Sequence, residues 1–180
     1  MECVPVLLAM MTEKNYPQIQ LEATWVLTNI TCLMSSECQS IVDKDGLKTF
    51  LTLVSENQPY IAEQALWGLG NISADSAKFR DAILDKGGLE TVIKAVEEST
   101  RPGMLEQGAW TLSQLCRGDP KPKYNKVKSA IPVMGKLVMS GVLKEEEVSS
   151  CLWALAVYSD SQKTRIQQIV GVKGLVGHLF

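Results

Sequence analysis

Apolar residues recur along this chain at steps of three and four positions, the spacing that places them on one face of an α-helix. No stretch alternates between apolar and polar residues for long enough to predict a β-strand. Glycine, proline and small polar residues interrupt the pattern at short intervals, so the helices are expected to be short and numerous. The pattern therefore predicts an all-α fold.

Residues 46–85 illustrate how one group of three helices is encoded. Residues 46–54 predict a short amphipathic helix. Pro59 opens a longer helix, from Tyr60 to about Ser73, because proline fits a helix start, where its missing N–H is unpaired in any case. A third, shorter helix is predicted up to Asp85. The residues expected to cap it or to turn the chain after it are Asp75, Ser76, Gly87 and Gly88.

The four tryptophans mark a repeat, because they are separated by 42, 43 and 43 residues, and a second apolar segment recurs in its own phase. Two independent markers with one period indicate a helical solenoid of the armadillo or HEAT kind, and three tight helices per unit favour armadillo. We predict one right-handed superhelical armadillo array over residues 1–180, truncated at both ends, whose exposed apolar ends allow self-association. Its four repeats of ~42 residues are predicted at 1–45, 46–87, 88–129 and 130–171, with a partial unit at 172–180. The aligned segments are LEATWVLTNIT, AEQALWGLGNIS, LEQGAWTLSQLC and SSCLWALAVYS in one phase, and DGLKTFLTLV, GGLETVIKAV, SAIPVMGKLV and VKGLVGHLF in the other.

A polar and aromatic stripe runs along the long helix of the second unit. Its members follow one another at steps of three, four and four residues, so they share one face. The opposite face is apolar and can enter the core, while Gly68 and Gly70 beside the stripe permit close helix approach. The stripe consists of Gln64, Trp67, Asn71 and Asp75, and equivalent positions in other units hold Trp25, Asn29, Trp110, Gln114 and Trp153.

The amides decide how we interpret this stripe. A buried carboxamide left without partners costs about 1–3 kcal/mol, so we expect the indoles and amides to face water. Amides that bond a peptide backbone, beside indoles that hold aliphatic stems ending in a cation, suit an extended basic peptide. The acids expected to select lysine or arginine are Asp75, Glu22, Glu63 and Glu106. The alternative is a purely structural ladder, in which the asparagines bridge neighbouring repeats.

Composition narrows the function further. The 18 basic and 20 acidic residues leave a net charge of −2, which argues against general nucleic-acid binding. No membrane-spanning run, phosphate loop or nucleophile–base pair is present, so we predict neither an enzyme nor a membrane protein, and no cofactor. The five cysteines lack CxxC spacing and His178 is the only histidine, so we expect buried thiols in a reducing compartment and no metal site.

Several segments taken together resemble the importin-alpha family, over essentially the whole chain. WVLTNI and AEQALWGLGNISADS are similar to the signature helices of that family's second and third repeats, GMLEQGAWTLSQLCRG to its fourth and WALAVYSD to its fifth. The resemblance implies an adaptor of nuclear import, in cytoplasm and nucleus, whose major groove holds a lysine-rich localisation signal antiparallel to the repeats. It also implies importin-beta as a partner, bound through a segment outside this chain.

The resemblance assigns the peptide-binding residues one by one. Its tryptophan–amide pairs fall on Trp25/Asn29, Trp67/Asn71 and Trp110/Gln114; the acid for the key ligand lysine falls on Asp75, and further groove residues on Gln64 and Trp153. This chain departs from the family pattern at several positions, since Gln114 replaces an asparagine, Ser150 an acid and Val157 a tyrosine, and Leu33–Met34–Ser35 replaces a smaller loop.

Two other functions stay open at this point. A catenin-like armadillo scaffold for signalling or adhesion would bind acidic or mixed extended partners. A redesigned consensus armadillo protein would have no natural ligand.

Overall fold

The computed structural model describes residues 3–33, 35–56, 58–159, 167, 169 and 171–172. Every regular element within these residues is an α-helix, as the hydrophobic pattern predicts. The predicted partial unit at 172–180 lies almost wholly outside the described residues. The helices are α1 Cys3–Met10, α2 Pro17–Leu33, α3 Ser35–Asp43, α4 Gly46–Ser55, α5 Pro59–Asp75, α6 Ala77–Asp85, α7 Gly88–Glu97, α8 Pro102–Leu115, α9 Tyr124–Val127, α10 Ala130–Met139 and α11 Glu145–Ser159.

The expected capping chemistry appears between α5 and α7. Pro59 occupies the first turn of α5, and this helix continues to Asp75, two residues beyond the predicted end. The Ser76 hydroxyl accepts a hydrogen bond from the Phe79 N–H at 3.3 Å, so Ser76 caps α6, while Asp75 ends the preceding helix instead. Gly87 has a left-handed φ of 76°, which lets the chain turn into α7 without strain.

The long helices α2, α5, α8 and α11 lie side by side in chain order and form one layer. Helices α1, α4, α7 and α10 pack beneath them, each against the long helix that follows it in the chain. The core fills the space between the two layers, with Phe50 of α4 packed under α5 and the predicted apolar face of α5 fully enclosed. That face comprises Ile61, Ala65, Leu66, Leu69 and Ile72. Burial on this side leaves the opposite side of each long helix for other contacts.

Two glycines of α5 set the spacing of the long helices. A Cβ on Gly68 would lie 2.5 Å from Cε1 of Phe50 and 2.9 Å from Oγ1 of Thr28, and one on Gly70 would lie 2.7 Å from Cδ1 and Nε1 of Trp110. Such distances are too short for non-bonded atoms, so only glycine permits α5 to approach its neighbours this closely. The sequence-based expectation for these two positions is confirmed.

None of the helices among the described residues combines the length and the apolar character that crossing a bilayer requires.

Candidate functional site

The four tryptophans lie on the four long helices, one on each. Trp25 on α2 and Trp153 on α11 are 51% and 61% exposed, whereas Trp67 on α5 and Trp110 on α8 are half-buried. The Nε1 atom of Trp110 is enclosed, because the indole lies against Gly70, and it has no hydrogen-bond partner in the part of the chain that the structure describes. The expectation of exposed indoles therefore holds fully for the outer two and partly for the inner two.

The amides depart from the expected exposure. Asn29 is exposed, but Asn71 is 9% exposed, and its Nδ2 donates to the Thr28 carbonyl oxygen at 3.3 Å and to the Cys32 Sγ at 2.8 Å. The prediction that this amide faces water is wrong, because α2 supplies the partners that a buried carboxamide needs. Asn71 thus bridges two repeats, as the structural-ladder alternative holds. Its Oδ1 accepts no hydrogen bond from the described residues.

Gln114 is also buried, at 2% exposure, which again contradicts the expectation of an open amide. Its Oε1 accepts a hydrogen bond from Nε of Arg117 at 2.8 Å, while its Nε2 is enclosed and has no acceptor within the described residues. The Arg117 guanidinium carbon lies 5.7 Å from the centroid of the Trp110 ring, within cation–π range. Partial burial lowers the pKa of Arg117. The third tryptophan–amide pair therefore already holds a cation from its own chain.

Gln64 and Asp75 stand at opposite ends of the predicted stripe on α5. Gln64 is half-buried, and no described residue donates a hydrogen bond to its enclosed Oε1. Asp75 is exposed and accepts a hydrogen bond from the Ser35 hydroxyl at the start of α3. Met34, within the departing loop, lies outside the described residues. Ser35 from that loop thus helps to orient the carboxylate that the resemblance assigns to a ligand lysine.

An acidic pocket opens between Trp67 and Trp110. Gln107 and Ser150 contribute to its lining, and Glu146 and Glu147 bring two carboxylates from the first turn of α11. The Oε2 atom of Glu147 is enclosed and has no hydrogen-bond partner among the described residues. Neither glutamate was among the site residues predicted from the sequence, where the run of acids from Glu145 to Glu147 indicates an acidic helix start, which the first turn of α11 has. The signal lay in the spacing, since Glu146 precedes Trp153 by seven residues, two helical turns.

Two of the acids predicted to select a cationic ligand are instead committed to neighbouring repeats. Glu63 accepts a hydrogen bond from Nε of Arg101 at 3.0 Å, and Glu106 pairs with Nζ of Lys144 at the same distance. Each pair joins residues 38 positions apart, and the hydrogen bonds raise the pKa of Arg101 and of Lys144. A selecting role for either acid would therefore require it to release a cation of the neighbouring repeat. Glu22 stays exposed on α2 and accepts a hydrogen bond from Gln18.

A second groove follows the C-terminal ends of α5, α8 and α11. It brings Asp75, Gln114 and Trp153 together, which the sequence predicted for one binding surface. It also contains Arg117, Asp119, Lys121 and Val157. The two sides of the Trp110 indole therefore differ in charge. The pocket toward the helix starts carries carboxylates, and the groove toward the helix ends carries both acidic and basic side chains.

A buried arginine holds the segment that follows α8. Arg80 of α6 is 1% exposed, and its Nη1 donates to the carbonyl oxygens of Arg117 and Pro120 at 3.0 and 2.7 Å. Its Nε and Nη2 bind the carboxylate of Asp81. These bonds fix the backbone at Arg117, so the orientation of that side chain over Trp110 depends on α6.

The thiols differ in environment more than expected. Cys38, Cys116 and Cys151 are buried, and burial raises the pKa of each to about 12, with the Asp75 charge adding to the effect at Cys38. Cys3 is half-buried and Cys32 is exposed. The prediction of buried thiols thus fails at Cys32, which faces the side chain of Asn71.

Comparison with known proteins agrees with this architecture. Residues 1–32 and 36–74 match the family described as Armadillo/beta-catenin-like repeat. The chain is 40% identical over 172 residues to importin subunit alpha-B of Dictyostelium discoideum, covering 94% of this chain and 33% of that protein. It is 35% identical over 167 residues to importin subunit alpha-1a of Oryza sativa subsp. japonica, covering 93% and 31%.

The chain is an importin-alpha-like armadillo region. It spans about a third of the length of the curated relatives it matches. Among solved structures it is similar to a designed armadillo repeat protein in complex with peptide (KR)4, with a TM-score of 0.79 and 16% identity, over 94% of this chain and 70% of that one. That likeness concerns the fold, and it confirms the predicted armadillo solenoid. This importin-alpha-like region carries the site described above on its layer of long helices.

Proposed function

We propose that this importin-alpha-like region binds short Lys/Arg-rich peptides in an extended conformation along the layer formed by α2, α5, α8 and α11. The observation that carries the proposal is the pocket between Trp67 and Trp110, which combines two indoles with the carboxylates of Glu146 and Glu147. Indole faces attract a cation by about 0.5–2 kcal/mol. The enclosed Glu147 Oε2, which lacks a donor, is a natural partner for an ammonium or guanidinium group.

A second position for a cation lies at Asp75. Its carboxylate is exposed and accepts one hydrogen bond, from Ser35, whereas a carboxylate offers about four acceptor sites. A ligand lysine can therefore bind Asp75 without displacing Ser35. Because Asp75 and the pocket at Trp67 and Trp110 lie toward opposite ends of the long helices, successive side chains of an extended peptide can reach them alternately.

The ligand backbone needs partners as well as its side chains. Asn71 offers Oδ1 as an acceptor in a fixed orientation, since its Nδ2 is held by Thr28 and Cys32. Asn29 is exposed and offers both a donor and an acceptor. Hydrogen bonds from such amides to a peptide backbone are independent of ligand sequence, so selectivity is left to the indoles and acids.

The biological role that we propose is that of a nuclear import adaptor, which moves between cytoplasm and nucleus and recognises localisation signals of cargo proteins. The support is the name that the curated relatives share, importin subunit alpha, together with an acidic, tryptophan-lined site suited to basic signals. Importin-beta stays a proposed partner on the family resemblance alone, through a segment outside this chain.

The test is a fluorescence-anisotropy titration of a labelled peptide with a KKxK core, at two salt concentrations, against a peptide with glutamine at every basic position. We expect micromolar binding or tighter for the basic peptide, weaker binding at high salt, and none for the glutamine peptide. Trp67→Ala and Glu147→Gln should each weaken binding about tenfold. Glu90→Gln, an exposed acid on α7, serves as the control for a lost charge. Equal binding of the two peptides, or a preference for acidic peptides, would overturn the proposal.

A further inference from the structure

The groove at the C-terminal ends of α5, α8 and α11 differs in charge from the acidic pocket on the other side of Trp110. Its charged lining consists of Asp75, Arg117, Asp119 and Lys121, and Gln114 forms part of the same surface. We infer that this groove binds an anionic side chain of the peptide ligand, a carboxylate or a phosphorylated serine or threonine, beside Arg117. The inference rests on the proposed function, because the anion is part of the same extended ligand.

Arg117 presents a cation with most of its donors unused. Of its five N–H bonds, the one on Nε is directed to Gln114, and no described residue accepts from the terminal nitrogens. The guanidinium is held over the Trp110 ring, and its backbone is fixed by Arg80. A guanidinium held in one orientation, with its terminal nitrogens free, matches the two oxygens of a carboxylate or phosphate.

Gln114 supplies an independent observation. Its Nε2 is buried and donates to nothing, although the same side chain is fixed by Arg117 through Oε1. A buried donor without an acceptor is unfavourable, and an acceptor oxygen from a ligand in the groove would satisfy it. An ammonium or guanidinium group cannot do so, because it carries no acceptor. The unsatisfied atom therefore favours a ligand group that brings an acceptor oxygen, and the Arg117 guanidinium beside it favours one that is negatively charged.

The separation between Asp75 and Arg117 indicates which residue of the ligand reaches the anionic site. Asp75 lies on α5 and Arg117 follows the neighbouring helix α8, and packed helices are about 8–10 Å apart. Side chains two positions apart in an extended peptide point the same way and are about 7 Å apart. A ligand whose lysine binds Asp75 thus places a residue two positions away beside Arg117. Lys121, which donates to the Val157 carbonyl oxygen at 3.4 Å, adds positive charge on that side.

The experiment is a position scan of the basic peptide by fluorescence anisotropy. Each position within and beside the KKxK core carries in turn glutamine, glutamate or phosphoserine, so that a neutral residue, a carboxylate and a phosphate are compared in one place. The ligand lysine that contacts Asp75 is the one whose replacement no longer weakens binding to the Asp75→Asn variant. At the position two residues away from it, we expect peptides with glutamate or phosphoserine to bind about fivefold tighter than the peptide with glutamine. Phosphate should exceed carboxylate, since it carries more charge.

Two variants assign that preference to the groove. Arg117→Gln should abolish it, whereas Lys128→Gln, which removes an exposed charge after α9 and away from the groove, should preserve it. Gln114→Glu leaves Arg117 in place but replaces the unpaired Nε2 donor with a carboxylate that can pair with the Arg117 guanidinium. This variant should therefore also abolish the preference for an anion. Circular dichroism establishes that each variant is folded.

The outcomes separate this inference from the proposed function. If the basic reference peptide binds and no position favours an anion, or if the preference survives in Arg117→Gln, the anionic site is overturned and the basic groove stands. If the basic reference peptide itself does not bind, the proposed function is overturned.

Discussion

The indole of Trp110 rests directly on the backbone of Gly70, so closely that a Cβ at Gly70 would lie 2.7 Å from two of its ring atoms. The glycine on α5 and the tryptophan on α8 therefore form one unit, which sets the distance between the helices and the position of the ring. The same ring borders the acidic pocket and carries Arg117 on its face. Helix packing and ligand recognition are coupled at this contact.

Gly70→Ala tests that coupling. The added methyl group must displace Trp110 or separate the helices, and overpacking of this kind costs about 1–3 kcal/mol. We expect a lower free energy of unfolding in urea, a changed tryptophan emission spectrum and weaker peptide binding. The matched control is Gly103→Ala on α8, where the added methyl group meets the carboxylate of Glu63, the movable end of a side chain. If both variants behave alike, close packing at Gly70 is not the cause.

Arg80→Leu tests how the segment after α8 is held. The substitution leaves the carbonyl oxygens of Arg117 and Pro120 without their donor, and loss of a charged, buried hydrogen-bond donor costs about 2–4 kcal/mol. We expect lower stability in urea and faster tryptic cleavage after Arg117 and Lys123. Asp81→Asn, which alters the half-exposed partner of the same arginine, should cost less than about 1 kcal/mol. Unchanged cleavage in Arg80→Leu would show that other contacts hold this segment.

The cysteines should separate by reactivity with iodoacetamide at pH 8.5. Cys38, Cys116 and Cys151, with pKa values raised to about 12 by burial, stay protonated and enclosed, so they should react only after unfolding. Cys32 is exposed and should react in the folded protein. Because Cys32 contacts Asn71 in the binding surface, a bound basic peptide should slow its alkylation, as measured by peptide mass spectrometry. Equal labelling with and without the peptide would place the ligand elsewhere.

The same thiols predict a loss of stability at alkaline pH. Burial raises the pKa of Cys151 from 9.0 in the unfolded chain to about 12 in the folded one, so the unfolded state loses its proton first. The contribution of the buried, protonated Cys151 thiol to the free energy of unfolding is therefore complete below pH 9 and is lost as the pH rises toward 12. Cys151→Ala should reduce the slope of unfolding free energy against pH in this window by about 1 kcal/mol per pH unit. An unchanged slope would contradict the burial effect at this thiol.

The acids of the long helices should divide into two groups. Glu63→Gln and Glu106→Gln remove carboxylates that Arg101 and Lys144 already occupy, so affinity for a basic peptide should change less than about twofold and stability by less than about 1 kcal/mol. Glu146→Gln and Asp75→Asn remove carboxylates open to the ligand and should weaken binding several times more. The measurement is the anisotropy titration described above. A large effect at Glu106 would mean that its pairing with Lys144 opens when the ligand binds.

The elements of this fold that depend on a local rule were predictable from the sequence. The helices of residues 46–85 follow from proline at a first turn, a serine cap and a glycine with positive φ, and each rule depends only on neighbouring residues. The close approach at Gly68 and Gly70 was also predictable, since glycine on the face of a repeated helix has few other uses. The end of α5 was placed two residues early, because Asp75 is as compatible with a last helical turn as with a cap.

The sequence by itself determined the all-α repeat, the helix faces and the positions of the indoles, because period and capping are local properties of the chain. Only the tertiary structure decided which polar groups stay open to a ligand. Glu63 and Glu106 pair with cations that lie 38 residues later in the chain. Asn71 donates a hydrogen bond to Cys32, which lies 39 residues earlier. Arg117 turns onto Trp110 because Arg80 fixes its backbone. Pairing between repeats depends on distances across the stack, which no spacing along one helix specifies.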